Sequence, residues 1–129
     1  MSPFCWAVAG WLLVPLWAQA HHSVAGNYHV NERVTIEGTV TEFIFQNPHV
    51  FVHMLVTDSA GGTETWVFEW DDATDLAEDE GYTADTIRPG DTLIISGNPA
   101  RDGSNLVFIR TLRRPADGLE YLGRAGRRR

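Results

Sequence analysis

The chain has 129 residues and no lysine; all ten of its basic residues are arginines. Six of them fall after Leu112, which leaves four arginines against fifteen acids between residues 21 and 112. Phosphate binding needs a basic face, so this acidic body excludes nucleic acid as an expected partner. Cysteine occurs once, at Cys5, inside an uncharged apolar leader. Histidine is absent beyond residue 53. No glycine-rich phosphate loop or dinucleotide fingerprint is present.

The leader, "MSPFCWAVAGWLLVPLWAQA", has the length of a signal-peptide core. It is short for a membrane span of about 20 apolar residues and ends in Ala18-Gln19-Ala20, an A-x-A cleavage pattern. Residues 1–20 therefore read as a signal peptide, and the mature chain is expected to be periplasmic or secreted with no transmembrane span. An uncleaved interfacial anchor is the alternative. A mature chain starting at His21 has no cysteine, hence no disulfide, thiolate ligand or thiol nucleophile. Its stability must come from an ordinary apolar core, for which about 109 residues suffice with a modest margin.

From residue 33 the pattern is β. "RVTIEGTVTEFIF" alternates, with Gly38 marking a bulge or sharp coil. Gln46 to Pro48 reads as a turn, and "HVFVHMLVTD" as a second strand with Val50, Val52, Met54 and Val56 on one face. "TETWVFEW" sets Trp66, Phe68 and Trp70 opposite Thr65, Val67 and Glu69. "DDATDLAEDEG" predicts a short helix capped by Asp71 or Asp72 and closed by Gly81, with Ala73, Leu76 and Ala77 as its apolar stripe. "TLIISG" and "LVFIRTL" supply two more strands. The fold class is all-β with one short helix: a five-stranded OB-fold-like barrel in the order β-β-β-α-β-β. An open five-stranded sandwich is the alternative. The expected inward set includes Val34, Ile36, Val40, Val50, Val52, Trp66, Phe68, Leu93 and Ile95. Residues 21–32 form a histidine-rich N-terminal segment, 33–112 the barrel, and 113–129 a basic flexible tail.

The strings "AHHS", "EGTVTEFIFQNPHV", "WVFEW" and "IRPGDTLIISGNPARDGSN" carry a resemblance. With these His-His-Ser and Asn-Pro-His motifs, the sequence resembles a family of small exported bacterial proteins, domain of unknown function 6152. The resemblance spans roughly residues 18 to 112. It implies an exported β-rich module and marks His21, His22, Asn47, Pro48, His49, Trp66 and Glu69 as family-pattern positions; it implies no activity.

All five histidines, His21, His22, His29, His49 and His53, lie between residues 21 and 53. His49 and His53 share a strand face, but four residues at about 3.3 Å each separate them by about 13 Å, too far to share one metal. His49 follows Pro48 and belongs at a barrel rim; His53 reads as structural. If cleavage follows Ala20, the His21 α-amine and ring Nδ1 form a six-membered chelate. Reference pKa values near ~8 and ~6.5 let both lose protons close to neutrality. His22 adds a nitrogen, and such a set suits Cu(II). Cleavage after Ala18 would give Gln19-Ala20-His21, which also favours square-planar Cu(II) or Ni(II).

The metal-ligand candidates are thus His21, His22 and His49, with a copper ion as the possible cofactor. Asn47, Glu69 and His29 are candidates for the surrounding shell. An ion pair between Glu69 and Arg110 is the competing expectation for that acid. The run Asp71, Asp72, Asp75, Glu78, Asp79, Glu80 lacks calcium-loop spacing and reads as a solvated helix face. Ser23 has no base and acid in motif context. The leading reading is a small exported periplasmic protein, not an enzyme by itself, that binds a transition metal ion through its mature N-terminal histidines. The alternative is a module binding a protein or small organic ligand through an aromatic face of Phe51, Trp66 and Trp70, flanked by Phe43 and Phe45, with the histidines structural. A redox enzyme with one N-terminal copper is a third reading, for which no substrate-positioning constellation is legible.

Overall fold

The computed structural model describes residues 24–123. The leader, its cleavage pattern, His21 and His22 lie outside the described residues. The elements run α1 (Val24–Asn27), β1 (Val34–Ile44), β2 (Phe51–Thr57), β3 (Thr63–Glu69), α2 (Ala73–Glu80), β4 (Thr92–Pro99), β5 (Leu106–Arg114) and β6 (Leu119–Tyr121).

β1 is the strand that makes a barrel possible. Its first half pairs antiparallel with β4, from Val34 opposite Gly97 to Thr39 opposite Thr92. Its second half pairs antiparallel with β2, from Thr39 opposite Leu55 to Ile44 opposite Phe51. One strand thus serves two neighbours by coiling sharply at its centre. Gly38 permits this: a Cβ there would stand 2.6 Å from the Leu55 carbonyl oxygen. The register shift falls slightly later, between Val40 and Glu42, where an extra residue adds twist. β2 continues antiparallel to β3, β3 runs parallel to β5, and β5 returns antiparallel to β4. The ring β1-β2-β3-β5-β4 is closed, with the helix between β3 and β4. This is the OB-type barrel expected from the strand order.

The alternation in sequence becomes an interior. Val40, Val50, Val52, Met54, Phe68, Leu93 and Ile95 are buried, while Val34, Ile36 and Trp66 are half-buried and pack against the same cluster. Leu76 of α2 and Ile87 join that core. Asp72 caps α2 by accepting the Asp75 N–H, and Gly81 ends it in the left-handed region at φ 69°. Ala77 is exposed, so the helix buries a narrower stripe than expected.

One expectation is corrected at the C-terminal end of the barrel. The flexible tail does not begin at residue 113. β5 continues to Arg114, turns, and pairs with β6 through Leu112 opposite Tyr121. Tyr121 is buried, its ring 5.0 Å edge-on to Trp70, and its hydroxyl bonds to Asp71. Arg114 fastens the turn through Asp91 and Asp117 at 2.7 and 2.8 Å. The segment before β1 is also packed. Tyr28 is buried against Phe108, forms an isolated bridge with Ala100, and sits beside Val24 and Leu106. Phe108 lies between the core residues Val107 and Ile109 and so faces outward. The N-terminal segment covers a ring that would otherwise meet water, which stabilises the segment by about 1.5–3 kcal/mol per fully buried large side chain.

Candidate functional site

The end of β3 holds the site. Glu69 stands opposite Phe51 of β2 on one side and Phe108 of β5 on the other. Its carboxylate points away from the core, because Phe68 and Trp70 take the inward positions. Tyr28 donates its hydroxyl to Glu69 Oε2. Glu69 Oε1 lies 3.3 Å from Nδ1 of His49. His49 is held in place by the backbone next to it: Val50 N–H donates to Asp71 O, and Trp70 N–H donates to Val50 O. The Nδ1 atom is also 3.4 Å from Trp70 O. Two acceptors around Nδ1 favour a proton there, which leaves Nε2 with a lone pair.

Tyr28 is kept a neutral phenol. Burial is the first cause of its raised pKa, followed by the hydrogen bond to Glu69 and the negative charges of Glu69 and Asp102. Its hydroxyl therefore remains a donor throughout the ordinary pH range. A cavity of about 360 Å³ adjoins this pair, lined in part by Tyr28, Glu69, Arg101, Asp102 and Leu106.

The other expected residues separate. His29 lies 3.6 Å from Glu32 in its own loop, and His53 lies 3.5 Å from Glu42 across β1 and β2. Each described histidine thus faces a different carboxylate. Among the described residues no group of three or more His, Cys, Asp or Glu side chains is placed to hold a metal ion. Asn47 is bonded to the start of α2. Its Oδ1 accepts from the Ala73 and Thr74 N–H groups, and its Nδ2 donates to Thr74 Oγ1. It satisfies donors that a helix N-terminus leaves open.

The Glu69–Arg110 ion pair is not formed. Arg110 Nε donates to Asn98 Oδ1 at 2.6 Å, and the guanidinium lies 4.9 Å from the Phe108 ring centre. Of the expected aromatic face, Trp70 is corrected. Trp70 is fully buried between Tyr82 and Tyr121, and Phe43, Phe45 and Trp66 pack against the core. Phe51 is half-buried. The inward alternation that built the barrel consumes Phe43, Phe45, Trp66 and Trp70, while Phe51 pairs with the outward-facing Glu69.

Two residues that matter here were not anticipated. Tyr28 is the one aromatic in "AGNYHVNER", a segment that otherwise resembles a loop. Asn98 in "SGNPA" resembles a turn, yet it is 1% exposed within β4. Its Nδ2 reaches the carbonyls of His29, Val30 and Glu32 at 3.3, 3.2 and 2.7 Å.

Fold and site together define a five-stranded OB-type barrel with an N-terminal strap, the strap pinned to a carboxylate–histidine pair at the rim. The chain belongs to the Family of unknown function (DUF6152), whose model matches residues 12–108. No curated protein matches it. Among solved structures it is similar to Rim1, a mitochondrial single-stranded DNA binding protein from S. cerevisiae. That likeness has a TM-score of 0.49 at 10% identity and covers 65% of this chain and 93% of the other. The ZRD-deleted mutant of TiaS, solved in complex with agmatine, has a TM-score of 0.49 at 16% identity. There the match covers 75% of this chain and 28% of the other. Among the described residues no helix is long and apolar enough to cross a membrane.

Proposed function

We propose that this chain is a small exported periplasmic binding protein that takes a copper ion through His21 and His22 of its mature N-terminus, with His49 as a further ligand. The observation that carries the reading is the chain Tyr28–Glu69–His49. A carboxylate on one ring nitrogen is how proteins orient a histidine whose other nitrogen binds metal. The same carboxylate holds Tyr28, which fastens the strap leading back to the two histidines. Val24 packs in the Tyr28 cluster. The surplus of acids in residues 21–112 supports a cationic ligand over a nucleic acid.

The test begins with the mature protein. Intact mass of periplasmic material should show a chain starting at His21. Copper is then titrated into that protein, into His21→Ala, and into a form with one extra N-terminal alanine, with affinity and coordination spectrum both recorded. The extra alanine displaces the amine from the six-membered chelate but creates an Ala-His-His start, so its spectrum should change even if affinity persists. A retained leader, or unchanged affinity and spectrum in both variants, overturns the proposal.

A further inference from the structure

A second cavity, of about 590 Å³, lies between the strap and the β5–β6 hairpin, lined in part by Val30, Arg33, Asp71, Phe108, Arg110 and Leu122. We propose that it binds a small organic carboxylate with an apolar body, independently of the metal reading. Three observations converge on this cleft.

The first is charge. Among the described residues neither Arg33 nor Arg110 has a carboxylate within ion-pair distance, although the surrounding body is acidic. Arg110 is half-buried and held at both ends of its head group: Nε donates to Asn98, and the plane rests over Phe108. Asn98 is itself buried and fixed by three carbonyls. A guanidinium set this firmly needs little further ordering to grip an anion.

The second is the apolar wall. The exposed large hydrophobic residues of the described chain are Val30, Leu55 and Leu122. Two of the three, Val30 and Leu122, line this cleft. Exposed apolar side chains beside fixed polar groups are how small-molecule sites divide affinity from orientation, and the volume falls in the usual range for such sites.

The third is Asp71. It also lines the cleft, where the Tyr121 hydroxyl holds it at 2.8 Å. Among the described lining residues, two arginines against one aspartate leave about one positive charge, which matches a carboxylate better than a dianionic phosphate.

The experiment is calorimetry on the mature, metal-free protein with four probes: decanoate, acetate, inorganic phosphate and decyltrimethylammonium. Decanoate should bind with one-to-one stoichiometry, and the other three at least about 10-fold more weakly. Arg33→Ala, an exposed position that leaves the Asn98 clamp intact, should weaken decanoate by about 10-fold while the melting temperature stays that of the parent. Arg110→Lys keeps the charge and loses the fork, and should weaken it further. Absence of saturable decanoate binding overturns the site. So does equal binding of decyltrimethylammonium or phosphate, or an undiminished affinity in Arg33→Ala. None of these outcomes bears on copper, since no metal is present.

Discussion

The Asn98 side-chain oxygen accepts from Arg110 Nε at 2.6 Å, while its nitrogen faces the carbonyls of the strap. One buried amide therefore ties β4 to β5 and both to the N-terminal segment. Asn98→Ala leaves the carbonyls of residues 29, 30 and 32 and one guanidinium nitrogen without this partner. Leaving buried polar groups unsatisfied costs about 1–3 kcal/mol each, so the variant should lose on the order of 3 kcal/mol. Urea denaturation measures it. Asn98→Asp should be worse than alanine, because a carboxylate places negative charge against the three carbonyl oxygens.

The barrel was legible because its signal is periodic. Val50, Val52 and Met54, and then Phe68 and Trp70, alternate with polar or half-buried neighbours, and each strand presents one face to the core. Gly38 interrupts β1 where β1 changes partner. What the sequence concealed rests on single residues joined across long separations. Tyr28 and Glu69 are 41 positions apart, and Tyr121 and Asp71 are 50 apart. A three-residue strand such as β6 is too short to show a period, and the arginines around it imitate a solvated tail. The Glu69–Arg110 expectation failed because strand alternation fixes a face but not the partner on it. Pro48 alone points His49 to the rim, and Glu69, the carboxylate beside it, stands among the sequence's own candidates.

Tyr121 supplies a direct check on the hairpin. It buries its ring on Trp70 and bonds through its hydroxyl to Asp71. Tyr121→Ala should destabilise the protein by about 3–5 kcal/mol, the usual cost of removing a buried aromatic. Tyr121→Phe keeps the ring and should lose only about 1 kcal/mol. A residue in a solvated tail would show neither loss, so thermal melts of the two variants separate the alternatives.

The alkaline limb of stability should carry a tyrosine signature. Tyr82 has its pKa pushed up to about 12, first by burial and then by the charge of Glu80, with Arg114 opposing. The folded value lies above the unfolded one near ~10. Below pH ~10 both states hold the proton and the contribution is intact. As pH rises toward 12 the unfolded state ionises first, and stability falls by on the order of 2 kcal/mol. Tyr82→Phe should flatten that part of the profile. Denaturation midpoints for both proteins between pH 9 and 12 would be compared; parallel slopes would show that Tyr82 does not set the limb.

Glu69→Gln tests whether the carboxylate positions His49 for a metal. The substitution keeps shape and removes charge. When the amide oxygen faces Tyr28, the amide N–H faces His49 Nδ1 and turns the ring toward the tautomer that carries its proton on Nε2, where no lone pair remains for a ligand bond. In the flipped orientation the charge is still gone, and the imidazole is a poorer donor. Loss of such an orienting partner typically weakens a metal site by about 10- to 100-fold. Copper affinity of Glu69→Gln should fall by about 10-fold, and its coordination spectrum should approach that of His49→Ala. His53→Ala is the matched control, since His53 faces Glu42 rather than Glu69; it should leave both readouts unchanged. If His21→Ala abolishes the site while Glu69→Gln and His49→Ala leave affinity and spectrum untouched, the ion is held by the N-terminus alone, and the Tyr28–Glu69–His49 chain serves only to fasten the strap to the barrel.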